Sequence, residues 1–336
     1  MPEPRAATTQ DPLGLEGSTL RERFRLEARV ARGGFGQVYR ATDLTLKAPA
    51  AVKVLYVDDK SLDAETLARE LRDEAQRQAC IEHPVVARVI DLGVTTTPSG
   101  LTCPWMALEW VEGRTLADEL RERSGRGGRP PAECMDLLRP VFEAVAEAHE
   151  RGIVHRDIKP GNIMRVASPI GARRRNARPP IRLLDFGIAK VMAPDEQRPP
   201  KGDTDTRSGA SPFSLRYASP EQLGRMRTGP WTDVHALALV LAQMLTDREP
   251  FPGDNEMAVM SRVLDDQRPT PARFGVDVGA LEPVLARALA KNHAERYPDA
   301  GALLDAIDAA IGLPRRSVPS PASAHDRNES SSTRPS

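Results

Sequence analysis

The spacing of apolar residues changes character once along this chain, near residue 115, and that change limits the folds open to it. Before it, "FRLEARVARGGFGQVYRATD", "APAAVKVLYV", "VVARVIDLGV" and "WMALEWV" suit strands and turns. One helix interrupts them over 62–80, with Leu67, Leu71 and Ala75 at steps of four. From Leu116 onward, "TLADELRER", "CMDLLRPVFEAVAEAHERG", "VHALALVLAQMLTD", "LEPVLARALAK" and "AGALLDAIDAAIG" read as helices. A strand-rich front with one helix, followed by a helical back, predicts an α+β architecture. Its two lobes would cover 21–110 and 113–312, hinged near 110–115. Residues 1–20 are polar and Pro-bearing, and 313–336 is a Pro/Ser-rich tail without apolar periodicity; disorder is expected of both.

At 336 residues there is enough chain for one large domain or two lobes. Lys and Arg match Asp and Glu at 47 each, so no net field gathers nucleic acid or an anionic membrane, and neither is expected as a partner. Cys80, Cys103 and Cys134 are odd in number, far apart and without metal spacing, which fits a reducing cytoplasm. The opening "MPEPRAATTQDPLG" has no apolar core and does not read as a signal peptide. The most apolar run, "ALALVLAQML", covers ten positions and includes Gln243, whereas a membrane span needs about 20. It predicts a buried helix in a soluble, cytoplasmic protein. Only 7 of the 47 cations are lysine, so each lysine is informative.

The stretch "IVHRDIKPGNIM" packs His155, Arg156, Asp157 and Lys159 between apolar pairs, with Asn162 three residues after the lysine. Phosphoryl transfer is mostly positioning and charge stabilisation. It needs a carboxylate to orient an attacking hydroxyl and take its proton, a cation near the moving group, and an oxygen ligand for magnesium. Asp157, Lys159 and Asn162 supply these chemistries on one short loop. Mg2+ takes oxygen donors from one or two carboxylates plus phosphates. A second carboxylate, Asp185, follows the apolar strand "IRLL" in "LLDFGIAK".

"HRDIKPGN" together with "DFG" resembles the catalytic and metal loops of the eukaryotic-like (Hanks-type) bacterial serine/threonine protein kinases. Lys159 is the choice usual in Ser/Thr-directed members. The resemblance implies the bilobal protein-kinase-like fold: a small antiparallel-sheet lobe with one helix, and a larger, mainly helical lobe. It also implies ATP with Mg2+, or Mn2+ in its place, and protein substrates bearing Ser or Thr. "ARGGFGQVYRA" is similar to the glycine-rich loop over ATP phosphates, with Gly33 and Gly36 for close backbone approach and Val38 against adenine. The family has Gly where this chain has Ala31, a departure that stiffens the start of the loop. Lys53 in "AAVKVL" would meet the α- and β-phosphates and a helix glutamate. Glu74 is the better candidate for that glutamate and Glu70 the runner-up. "WMALEWVEG" looks like the hinge: Leu108 beside adenine, and backbone groups of Glu109 and Val111 on its hydrogen-bonding edge. "RYASPEQL" resembles the segment that closes the activation region, Glu221 pairing with a buried Arg296. Asp233 would cap the helix of "WTDVHALAL" and accept catalytic-loop amides. Ser214 keeps the hydroxyl of the usual docking threonine.

The resemblance runs from about 24 to 312, and its motifs in their order are very specific. The interval from Asn162 to Asp185 is longer than usual because of the basic insert "ARRRNARPP" within 168–180, which is expected to extend a hairpin behind the site. Arg156, before the catalytic Asp, would bind a phosphate on the long loop 193–214. Thr204, Thr206, Ser208 and Ser211 are available there, and autophosphorylation at Thr204 or Thr206, through a transient homodimer, is the expected regulation. A small-molecule phosphotransferase of related fold would lack "SPE" and the Arg296 partner. A pseudokinase scaffold would have lost Lys53, Asp157 or Asp185, and all three are present.

Overall fold

Strand and helix divide where the apolar spacing changes. The computed structural model describes residues 11–33, 36–56, 64–166, 181–184 and 215–312. In the front lobe β1 (Thr19–Leu20), β2 (Phe24–Gly33), β3 (Gly36–Asp43), β4 (Ala48–Leu55), β5 (Val89–Thr96) and β6 (Thr102–Glu109) form one antiparallel sheet, ordered β1-β2-β3-β4-β6-β5. Helix α1 (Ala64–Ala79) packs on β6 and β5.

Alternation along the strands splits the sheet into two faces. Phe24, Leu26, Tyr39, Val52, Val54 and Trp105 fill one core, where Phe24 meets Trp105 edge to face at 5.7 Å. The opposite face holds Leu55, Met106 and Leu108 with Leu71 and Ala75 of α1.

The expected disorder of 1–20 does not hold from residue 11. Leu13 and Leu15 are buried in the Trp105 core. Asp11 explains why so short a segment stays put. Its carboxylate accepts from the Tyr39 hydroxyl at 2.6 Å and from the backbone amides of Leu13, Leu15 and Glu16. Backbone bonds between Gly17 and Leu26 and between Leu26 and Ser18 complete the strap. Two leucines two residues apart, behind a turn-forming Asp, were too weak a pattern to register as structure.

The back lobe contains α2 (Leu116–Arg123), α3 (Pro131–Glu150), α4 (Pro220–Leu223), α5 (Pro230–Thr246), α6 (Glu256–Leu264), α7 (Leu281–Ala288) and α8 (Ala300–Ala310). Helix α5, apolar nearly all round, is buried along almost its whole length, and α3, α7 and α8 pack around it. Helix α6 was absent from the sequence expectation. Asn255 caps it, accepting from the Ala258 amide at 2.9 Å, but Val259 and Val263 are its only buried residues, a stripe too narrow to stand out. A second antiparallel sheet, β7 (Gly113–Thr115), β8 (Ile163–Val166) and β9 (Ile181–Leu183), lies after the hinge. The insert 168–180 connects β8 to β9 and falls outside the described residues, as does 313–336.

Backbone bonds tie the lobes together. Leu183 N–H donates to Val85 O at 2.8 Å and Ala87 N–H to Leu183 O at 3.1 Å, so the chain leaving α1 runs beside β9.

Candidate active site

Strand register gathers the front-lobe candidates. Ala31 stands opposite Val38, Val38 opposite Lys53, and Lys53 opposite Met106, so all four share one face of the sheet. Leu108, two residues beyond Met106 and opposite Ala51, lies on that face too. It is the face that carries α1. Gly33 pairs with Gly36 where the β2–β3 hairpin closes. A Cβ at Gly36 would sit 2.2 Å from the Val54 carbonyl oxygen, so the neighbouring strand already demands glycine there. Lys53 is buried. Glu74 lies on α1, but its side chain, like that of Glu70, is outside the described residues. In the hinge, the Glu109 amide donates to Arg88 O at 2.8 Å, and the chain from Trp110 to Glu112 belongs to neither sheet, so Val111 sits between the lobes.

The catalytic loop is held from three sides. Lys159 Nζ contacts both Asp157 oxygens, at 2.9 and 2.7 Å. Asn162 Nδ2 donates to the Asp157 carbonyl at 2.8 Å and to its Oδ2 at 2.9 Å. Beneath the loop, buried Asp233 accepts the His155 amide through Oδ2 and the Arg156 amide through Oδ1, both at 2.7 Å. Burial pushes the Asp233 carboxyl up, but the His149 hydrogen bond, with the nearby imidazoles and loop amides, outweighs it and holds the group below the usual range. Asp233 does not cap α5, contrary to the sequence expectation. It lies one turn inside the helix, and Thr232 Oγ1 accepts the Gly229 amide instead.

Asp185 lies outside the described residues, yet the residue before it is fixed. Leu184 N–H donates to Asn162 O at 2.8 Å, and Leu184 O accepts from His155 Nε2 at 3.1 Å. Leu184, the last described residue before it, thus lies directly beside the catalytic loop. Thr204, Thr206, Ser208, Ser211 and Ser214 are also outside the described residues.

Glu221 and Arg296 pair as the sequence implies. Both are buried, with Nη1–Oε1 at 2.9 Å and Nη2–Oε2 at 3.0 Å. Thr232 Oγ1 donates to Glu221, and Arg296 also reaches the carbonyls of Ala290, Lys291 and Trp231, so the remaining valences are filled. Burial raises the Glu221 carboxyl, and Arg296 more than reverses the shift, leaving it below its ordinary value.

Two residues the sequence reading passed over complete the support. His149, at the end of α3, takes the Ala300 amide on Nδ1 and donates from Nε2 to Asp233 at 2.9 Å, linking α8 to the catalytic loop. Nothing in the local sequence marks it, because its partners lie far along the chain. Gln222 donates to the Arg156 carbonyl at 2.8 Å. The pattern Ser219-x-x-Gln222 is a capping-box signature, so its local role was legible and its long-range one was not. Burial pushes the Cys103 thiol up to about 11 and Cys134 to about 12, which makes neither a nucleophile.

Two lobes joined by a hinge, a glycine hairpin and a buried lysine above, and a clamped Asp–Lys–Asn loop below define a protein kinase. The chain belongs to that family, its match to the protein kinase domain spanning residues 24–296. Serine/threonine-protein kinase PknL of Mycobacterium tuberculosis is 33% identical over 322 residues, 94% of this chain and 72% of PknL. PknB of the same species is 34% identical over 290 residues, 84% of this chain but 42% of PknB. Within the family the chain therefore stands with the Hanks-type serine/threonine kinases of bacteria. The crystal structure of the M. tuberculosis PknI kinase domain superposes with a TM-score of 0.63 over 89% of this chain and 99% of that one; at 23% identity it speaks for the fold alone. Among the described residues no helix is long and apolar enough to cross a membrane.

Proposed function

We propose that this serine/threonine kinase binds ATP between its lobes and passes the terminal phosphoryl group to a protein Ser or Thr hydroxyl oriented by Asp157. The observation that most supports this reading is the Asp157 carboxylate itself, with the Lys159 ammonium on both its oxygens and the Asn162 amide on one. As the substrate oxygen bonds to phosphorus and the bond to the ADP oxygen breaks, Asp157 accepts the hydroxyl proton. Lys159 offsets negative charge on the in-flight group and keeps the carboxylate aimed. Lys53 would hold the α- and β-phosphate oxygens, with Glu74 fixing its ammonium. Leu108 and Val38 would flank the adenine. The Glu109 amide is already given to Arg88, so the carbonyl of Glu109 and the backbone of Val111 are the groups proposed to read the adenine edge.

The donor set suits magnesium. Asn162 spends its amide nitrogen on Asp157, and its amide oxygen is the hard donor that Mg2+ or Mn2+ takes; Asp185 would supply the carboxylate. When bound, the ion neutralises phosphate charge.

Regulation is part of the reading. Loop phosphorylation at Thr204 or Thr206, made by a second copy in a transient homodimer, would place a dianion near Arg156. Mass spectrometry after incubation with ATP and Mg2+ tests both parts. Wild type should acquire loop phosphate and phosphorylate a generic protein acceptor, and Asp157→Asn should do neither. Equal phosphorylation in the two proteins would rule the reading out.

A further inference from the structure

We propose that Gln222 is a positioning residue for Asp157, transmitting the placement of the 215–223 segment to the peptide bond that precedes the carboxylate; this rests on the role just assigned to Asp157. Arg156 adopts φ +66°, a left-handed backbone that residues with a Cβ rarely take, so its two peptide planes must be held from outside. Its N–H is held by Asp233 Oδ1 at 2.7 Å. Its C=O, in the plane shared with Asp157, is held by Gln222 Nε2 at 2.8 Å. The Asp157 amide on the other side of that plane meets His155 Nδ1 only at 3.3 Å. Turning this plane swings the Asp157 side chain, and the Gln222 bond is the shorter of the two resisting the turn.

The orientation of the Gln222 amide is fixed by chemistry. Oε1 accepts the Ser219 amide at 2.9 Å, and Nε2 donates to a carbonyl; the flipped amide would satisfy neither. The Ser219 contact is a capping box, which glutamate serves as well as glutamine. The Arg156 contact requires a donor, which only glutamine has.

The segment that Gln222 reports on is itself pinned. Arg216 pairs with Glu249 and donates to Gly253 O at 2.9 Å, and the Tyr217 hydroxyl donates to Gln243. Running from Leu215 through α4, this segment reaches the catalytic loop through Gln222, so a change in its seating shifts the aim of Asp157.

Glutamate separates capping from positioning. Gln222→Glu keeps the acceptor for Ser219 and replaces the donor to Arg156 with an oxygen. In a peptide phosphorylation assay kcat should fall about tenfold, since misplacement of a reacting group by about 1 Å can cost a hundredfold. KM for ATP and the melting temperature should stay near wild type. Gln222→Met, without a carboxylate to repel the carbonyl, should lose kcat to a similar degree; should it fail to fold, Gln222→Glu carries the test. Wild-type kcat in Gln222→Glu would overturn the proposal, as would a loss of kcat that comes with a collapsed melt and a raised KM for ATP. Asp157→Asn runs in parallel. If it retains wild-type turnover, the role of Asp157 fails, and with it the premise rather than the Gln222 link.

Discussion

His235 is a buried imidazole whose Nε2 accepts from Arg268 Nη2 at 2.7 Å and whose Nδ1 has no hydrogen-bond partner among the described residues. Burial, then the charges of Arg296 and Arg268, push its pKa well below 6.5, and burial with Arg296 and Arg273 pushes Arg268 down to about 10. Asp265 and Glu221 carry the opposing charge around Arg268. Unfolded, the imidazole takes up a proton as pH falls through about 6.5; folded, it stays neutral, so acidification favours the unfolded chain. Urea unfolding between pH 5 and 8 should show stability rising with pH by up to about 1.4 kcal/mol per unit below 6.5 from this one group. His235→Asn, which keeps an acceptor for Arg268, should lose that slope, and identical slopes would assign the proton elsewhere. Glu221 and Asp233, both lowered, add a further acid loss that is absent above about 4.5. At this scale the grouping of candidate residues was legible because it is written as identities at fixed spacing: Asp157, Lys159 and Asn162 meet within one loop, and Lys53 lies within one strand. His149, Gln222 and His235 were not, because each acquires its partner only when distant segments meet.

Among the elements, the strap at 11–18 departs most from the sequence reading. It covers the outer face of the front-lobe sheet, the face away from Lys53. Leu15 is buried beside Trp105 and Phe24, so Leu15→Ala should cost about 2–5 kcal/mol of unfolding free energy by denaturant titration, with phosphotransfer per folded molecule unchanged. A cost near zero would return the strap to a loose end. Long periodic helices such as α3 and α5 were legible in the sequence because each buries a full stripe or its whole circumference. The strap and α6 each rest on two buried apolar residues, and a pattern that short cannot be told from chance before the fold supplies its receptor.

At the scale of the whole molecule, one lobe offers a sheet face and the other a loop, and neither is a kinase site alone. Ala31, Val38, Lys53 and Leu108 are aligned by strand register, whereas the backbone leading into Asp157 is held by Asp233, a residue of the most buried helix, and Asn162 bonds to Asp157 itself. The bond between Leu183 and Val85 and the hinge fix how the two halves face. The two-lobed division was legible from apolar spacing alone; that Ala31, Val38, Lys53 and Leu108 share one sheet face was not, because that depends on pairing register. Phosphotransfer from ATP to a generic basic protein, measured for wild type, Lys53→Met and Asp157→Asn, tests the proposed convergence of Lys53 and Asp157 most directly. Each substitution, one per lobe, should lower turnover by about a hundredfold or more while the melting temperature holds. Wild-type turnover in either variant would contradict a single phosphoryl group held between Lys53 and Asp157.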